Sequence, residues 1–170
     1  ADGIRQSTQV AAGNLANFIG GAQRFDLRSH RNVAKLDGIF SPTRAVDVTF
    51  NLRNTIREGT QPYGAYNLQP IEVPLPIDTR TTDIGTSLQW TNTRARMSVG
   101  YQGSWFDNRV PAFVWDNPWR LDDSATAGAS KGRMALWPDN TLHALTTSGA
   151  LALAARTNLT ASVTFGRVNQ

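Results

Sequence analysis

At 170 residues, 40% of them hydrophobic, the chain is long enough for one ordinary domain, and its balance of 17 basic against 13 acidic residues leaves a net charge of +4. With no cysteine, it holds no disulfide, iron–sulfur cluster or cysteine zinc site, and no Cys-x-x-Cys-His for covalent haem; His30 and His143 alone make no histidine-rich metal site. No segment approaches the roughly 20 apolar residues of a membrane helix, a test that does not touch β-barrels, whose strands alternate apolar and polar residues.

In chain order, residues 1–24 carry Leu15, Phe18 and Ile19 at helical spacing with Gly20-Gly21 as a stop, which predicts a loop region with a short helix. No basic start or apolar run opens the chain, as expected if a secretion signal has been removed or the chain is a piece of a longer one. From Phe25 the period changes to two. In Val46–Ile56, Val46, Val48, Phe50, Leu52 and Ile56 fall on one face, and Asp47, Thr49, Asn51, Arg53 and Thr55 on the other. That run has the roughly 9 to 11 residues a tilted strand needs to cross a bilayer.

The alternation returns in Ile84, Thr86, Leu88 and Trp90, then in Met97, Val99, Tyr101 and Trp105, and again in Leu159, Ala161, Val163 and Phe165, each set backed by Gly, Ser, Gln, Thr, Asn or Arg. Two less regular strands are expected over Phe25–Phe40 and Leu142–Leu153. Short connections at 41–44, 91–94 and 154–157 alternate with long ones at 58–80 and 108–140. Three hairpins with short turns at one end and long loops at the other predict an all-β, antiparallel up-and-down transmembrane β-barrel segment, turns in the periplasm and loops outside. A soluble sandwich shows no such sidedness. Six strands cannot close a barrel whose smallest form has about eight, and Val163–Gln170 still reads as strand, so residues 25–170 are expected to be part of a larger barrel.

Other chemistries find little footing. The arginines are dispersed along strands rather than clustered, which argues against a nucleic-acid surface. Val114-Trp115-Asp116-Asn117-Pro118-Trp119 and Trp137-Pro138-Asp139-Asn140 predict structured loops, with a sugar-binding aromatic platform as the functional alternative. Asp107, Asp116, Asp122, Asp123 and Asp139 could offer oxygen to calcium but lack the spacing of a defined site, so no metal is assigned. No nucleophile, base and acid fall into a catalytic arrangement, and no enzymatic activity is expected.

A set of ordered motifs runs from about Phe25 to Gln170: Arg57-Glu58-Gly59 with Pro62-Tyr63-Gly64, Pro74-Leu75-Pro76-Ile77-Asp78 with Thr82, Gly100-Tyr101, Ser104-Trp105-Phe106-Asp107-Asn108, Trp115-Asp116-Asn117-Pro118, Met134-Ala135-Leu136, Pro138-Asp139-Asn140 with His143, Ser148-Gly149, Arg156-Thr157 and Gly166-Arg167. By these residues the chain resembles the MtrB/PioB family of decahaem-associated outer-membrane barrels, with Trp119 and Ala154-Ala155 as departures from its pattern. The resemblance implies a Gram-negative outer-membrane barrel that encloses a periplasmic multihaem c-type cytochrome, with an extracellular cytochrome as a second candidate partner, for electron transfer to or from the outside. The haem would belong to the cytochrome, this chain binding no cofactor. The expected lumen-facing partner contacts are Asp47, Thr49, Asn51, Arg53, Ser87, Gln89, Ser98 and Gln102. A general diffusion porin and a secreted carbohydrate-binding sandwich are the alternatives.

Overall fold

The computed structural model describes residues 26–67, 69–116, 123, 129–154 and 157–170. The region expected to hold a short helix lies outside them. Among the described residues eight strands follow one another: β1 Ser29–Thr43, β2 Val46–Asn67, β3 Gln69–Thr91, β4 Ala95–Asn108, β5 Ala112–Asp116, β6 Lys131–Ala135, β7 Asn140–Ala154 and β8 Thr157–Asn169. Six form one sheet in the order β1-β2-β3-β4-β7-β8, and β5 and β6 form a separate hairpin. Among the described residues no helix is long and apolar enough to cross a membrane, which leaves crossing by strands untouched.

The chain divides into two compact units. One, residues 31–57, 79–108 and 138–170, holds the body of the six-stranded sheet. Its register is regular: Leu88 faces Val99, Val99 faces Thr147, and Thr147 faces Val163, so outward residues, apolar except for Thr147, line up in a row across four strands. One irregularity interrupts the β7–β8 ladder, between Ala152 and Ala154, beside the turn. The turns at this end are short, with Asn92 N–H donating to the Ala95 carbonyl and Asn92 Oδ1 accepting from Thr93 N–H. Such Asn side chains replace backbone partners and let the strands reverse at once.

Within this unit, no second layer of described residues covers the sheet. Met97 is 54% exposed, Val163 52% and Phe165 71%, all on the same face. In water, so many uncovered apolar side chains would drive association; against hydrocarbon they need no protein cover. The lengths agree: from Met97, opposite Trp90, to Trp105 the strand climbs eight steps of about 3.3 Å, or about 20 Å along the normal at a tilt of about 40°. Trp90 and Trp105 thus sit where aromatic girdles flank an apolar band about 25 Å tall.

The described residues of the other unit are 26–30, 58–67, 69–78, 109–116, 123 and 129–137. Here the structure corrects the expected loop at 58–80: β2 runs on to Asn67, and β3 already starts at Gln69. Prolines made this stretch read as loop, yet Pro74 and Pro76 lie two apart, so both missing N–H groups belong on the same edge. Arg109 N–H donates to the Asp78 carbonyl, which shows that even-numbered residues of β3 point toward β4. The β3–β4 ladder has ended by then, at Thr79 and Asn108. The prolines therefore withhold donors only past the end of the β3–β4 ladder, on the edge that β4 has left. On the alternate positions Val73 and Ile77 are half-buried and Leu75 is fully buried.

The expected loop at 108–140 likewise contains the β5–β6 hairpin. Phe113 is buried, its ring stacked on Trp115 at 5.4 Å and met edge-on by Tyr63 at 6.3 Å. The Tyr63 hydroxyl donates to Met134 Sδ at 3.1 Å. Gly132 faces Trp115 across the hairpin, and any Cβ there would enter the indole. Ser130 N–H and hydroxyl both donate to Asp123 Oδ1, at 2.8 Å each, holding that carboxyl below the usual carboxylate range with help from the Lys131 charge.

Gly59 explains one of the sequence motifs. Its φ of +134° is a backbone conformation that favours glycine, and a Cβ would run into the Arg28 carbonyl, to which the Thr60 N–H donates at 2.8 Å. Gly59→Ala is expected to destabilise the protein by about 1–3 kcal/mol, read as a lower urea midpoint for unfolding from lipid vesicles. An unchanged midpoint would contradict this account.

Candidate functional site: the polar face of the sheet

The polar residues of each strand face the same way because side chains alternate, and the register then fixes which of them meet. Thr49 Oγ1 and Ser87 Oγ share a hydrogen bond at 2.7 Å, Ser87 faces Gly100, Gly100 faces Thr146, and Thr146 Oγ1 shares a hydrogen bond with Thr164 Oγ1 at 3.1 Å. The next row runs from Asn51, whose amide lies over Gly85, through Gln102 and Ala144 to Gly166. On the other side, Gln89 faces Ser98, Ser98 shares a hydrogen bond with Ser148 at 2.7 Å, and Ser148 faces Ser162.

All eight sequence-predicted residues fall on this face. Thr49, Ser87, Asn51, Gln102, Gln89 and Ser98 are joined by these rows. Asp47 accepts from Ser41 Oγ at 2.5 Å, which brings β1 onto the same face, and Arg53 follows by alternation along β2. With its amide turned to satisfy both groups, Gln89 accepts from Arg96 Nε at 2.7 Å. Asp83 accepts from Ser104 Oγ at 2.6 Å.

Sequence reasoning missed Asp83, Arg96, Gly85, Gly100 and the β7–β8 residues Thr146, Ser148, Ser162 and Thr164. Alternation places them on a face, but only the register shows that they complete its rows. Asp139, weighed as a calcium ligand, instead accepts the Asn108 N–H at 2.7 Å, and Asp123 is engaged by Ser130. The side chains of Asp116 and Asp122 lie outside the described residues.

Chemically the wall is quiet. Hydroxyls are tied to one another in pairs across neighbouring strands, Thr49 with Ser87, Ser98 with Ser148 and Thr146 with Thr164, and the Asp47 and Asp83 carboxylates accept from serines. An antiparallel sheet with hydrocarbon-compatible residues on one face, hydrogen-bonded polar rows on the other and tight turns at one end is the wall of an outer-membrane β-barrel. The chain belongs to the MtrB/PioB family: the profile described as "Putative outer membrane beta-barrel porin, MtrB/PioB" matches residues 5–170. That is a family of porin-like barrels of the outer membrane rather than an enzyme class. No curated protein matches the chain.

Proposed function

We propose that this wall sheathes a multihaem c-type cytochrome and holds it in position for electron transfer across the outer membrane of a Gram-negative bacterium. The low relief of the polar face carries the reading. In the rows Ser87–Gly100–Thr146–Thr164 and Ser98–Ser148–Ser162 no side chain is larger than threonine, and the hydroxyls of Ser87, Thr146, Thr164, Ser98 and Ser148 are already paired along the wall. Small residues let another protein's surface approach to backbone distance, as they do between membrane helices. Asp47, Asn51, Arg53, Gln89, Gln102 and Arg96 border these rows and supply the charges and amides that would orient the guest.

In this reading the chain binds no haem and catalyses nothing. Its outward face keeps the guest in a hydrocarbon-insulated channel, and the haem belongs to the cytochrome. The family description favours one other reading, a water-filled diffusion pore.

The test is purification of the complete protein in detergent from cells that also express a multihaem cytochrome. The expected result is a stoichiometric haem-staining partner and little ion conductance in a planar bilayer. An intact barrel recovered free of cytochrome, with large steady conductance, supports the diffusion pore instead.

A further inference from the structure

On the outward face, the half of the apolar band toward Trp105 holds a group unlike the rows beneath it. The Tyr101 hydroxyl and His143 Nδ1 share a hydrogen bond at 2.8 Å, and the Trp105 ring meets the imidazole edge-on at 5.5 Å. Gly103 makes this possible: it faces His143 across the ladder, and any Cβ there would strike the Trp105 ring and the Tyr101 hydroxyl. On the other side of His143 stands Arg167, one strand away in direct register. Arg167 Nε donates to Asn169 Oδ1 at 2.8 Å, which orients the guanidinium, and a groove runs between Tyr101, His143, Phe165 and Arg167.

The charges on this face are placed by depth. Below this level the outward residues of β4, β7 and β8 are Met97, Val99, Leu145, Leu151, Leu159, Val163 and their like, with no ionised group. Arg80 also faces outward, but Asp107 stands opposite it in the β3–β4 register. Among the described residues no carboxylate forms an ion pair with Arg167. A cation on the lipid side is costly at mid-bilayer and cheap near the interface, where its stem lies along apolar surface and its head reaches the headgroups. The Trp105 girdle sets that interface one row above His143 and Arg167.

We infer that Arg167 and His143, the imidazole held from the row below by the Tyr101 hydroxyl and flanked above by Trp105, form an external binding site for the phosphate of a lipid headgroup in the leaflet on the long-loop side. The chemistry matches part by part. The guanidinium offers forked donors to phosphate oxygens, the imidazole offers its Nε2–H when the Tyr101 hydroxyl donates to Nδ1, and Trp105 and Phe165 pack beside the upper acyl chain. The site rests on the outer-membrane assignment and is independent of what fills the lumen.

The complete barrel, folded in a neutral detergent, is titrated with phosphatidic acid and with phosphatidylcholine of the same chains, and bound lipid is counted by native mass spectrometry. Phosphatidic acid is expected to bind about tenfold more tightly, a factor equal to about 1.4 kcal/mol. The double variant Arg167→Gln/His143→Gln loses the preference and Arg80→Gln keeps it, folding being followed by heat-shifted gel migration. Arg167→Lys retains the charge with the smallest change of side chain and keeps part of the preference. A preference unchanged in the double variant, or lost equally in Arg80→Gln, overturns the site. Displacement of the lipid by millimolar inorganic phosphate also overturns it, because the pocket would then take the free ion.

Discussion

Phe50→Arg is expected to cost the folded barrel about 2 to 4 kcal/mol, while Thr49→Arg, one residue away, costs less than about 1 kcal/mol. The contrast follows from alternation at the middle of the apolar band. Thr86 Oγ1 donates to the Thr49 carbonyl and Thr49 pairs with Ser87, so Phe50 belongs beside Thr86, in the row of Tyr101, Leu145 and Phe165. That row lies two rows from Trp90 and two from Trp105, where a cation has the longest way to water. Thr49 points instead to the polar face that already holds Asp47 and Arg53.

Stability loss alone would also follow from a protein core, so position must be read separately. The chain has no cysteine, and single cysteines at 48, 49 and 50 can be labelled without background. Fluorophores at 48 and 50 are expected to be quenched by brominated lipid, and one at 49 is not. Equal quenching at all three would remove the alternation on which the membrane assignment rests.

Alternation of this kind is why the strands could be read from sequence. Each crossing strand meets hydrocarbon on one side and polar neighbours on the other, so Val46–Ile56 writes its two faces into consecutive residues. The eight predicted lumen residues share a face for the same reason. Beyond the bilayer that contrast fades, and 58–80 looked like loop although Val73, Leu75 and Ile77 still alternate with Pro74, Pro76 and Asp78. Proline marks a loop only when its N–H is needed, and the need depends on where β4 ends, which lies 30 residues further along the chain. The outward site was hidden more deeply. Tyr101, Trp105 and His143 come from two strands separated by the whole 109–139 connection, and Gly103 acquires its role only once His143 faces it.

Replacing Gly100 by tryptophan is expected to leave the barrel folded and to lower recovery of the haem-containing partner about tenfold or more, since overpacking a close interface costs about 1–3 kcal/mol. Gly100 stands in the middle of the low row, between Ser87 and Thr146. A Cβ at this position would lie 3.5 Å from the Ser87 Cβ and 3.6 Å from the Thr86 carbonyl oxygen, ordinary contacts that leave the wall undisturbed. The indole must then project inward, past threonines and serines too short to shield it, and hold a guest away from its seat. Gly100→Ala adds only that Cβ and should retain the partner. In a water-filled pore the same indole would merely narrow the passage, lowering conductance by a modest fraction without touching any haem stoichiometry. Recovery of a full complement of cytochrome on Gly100→Trp, from a barrel shown to be folded by its gel migration, would mean that nothing sits against this wall, and the sheath would have to be abandoned for the pore.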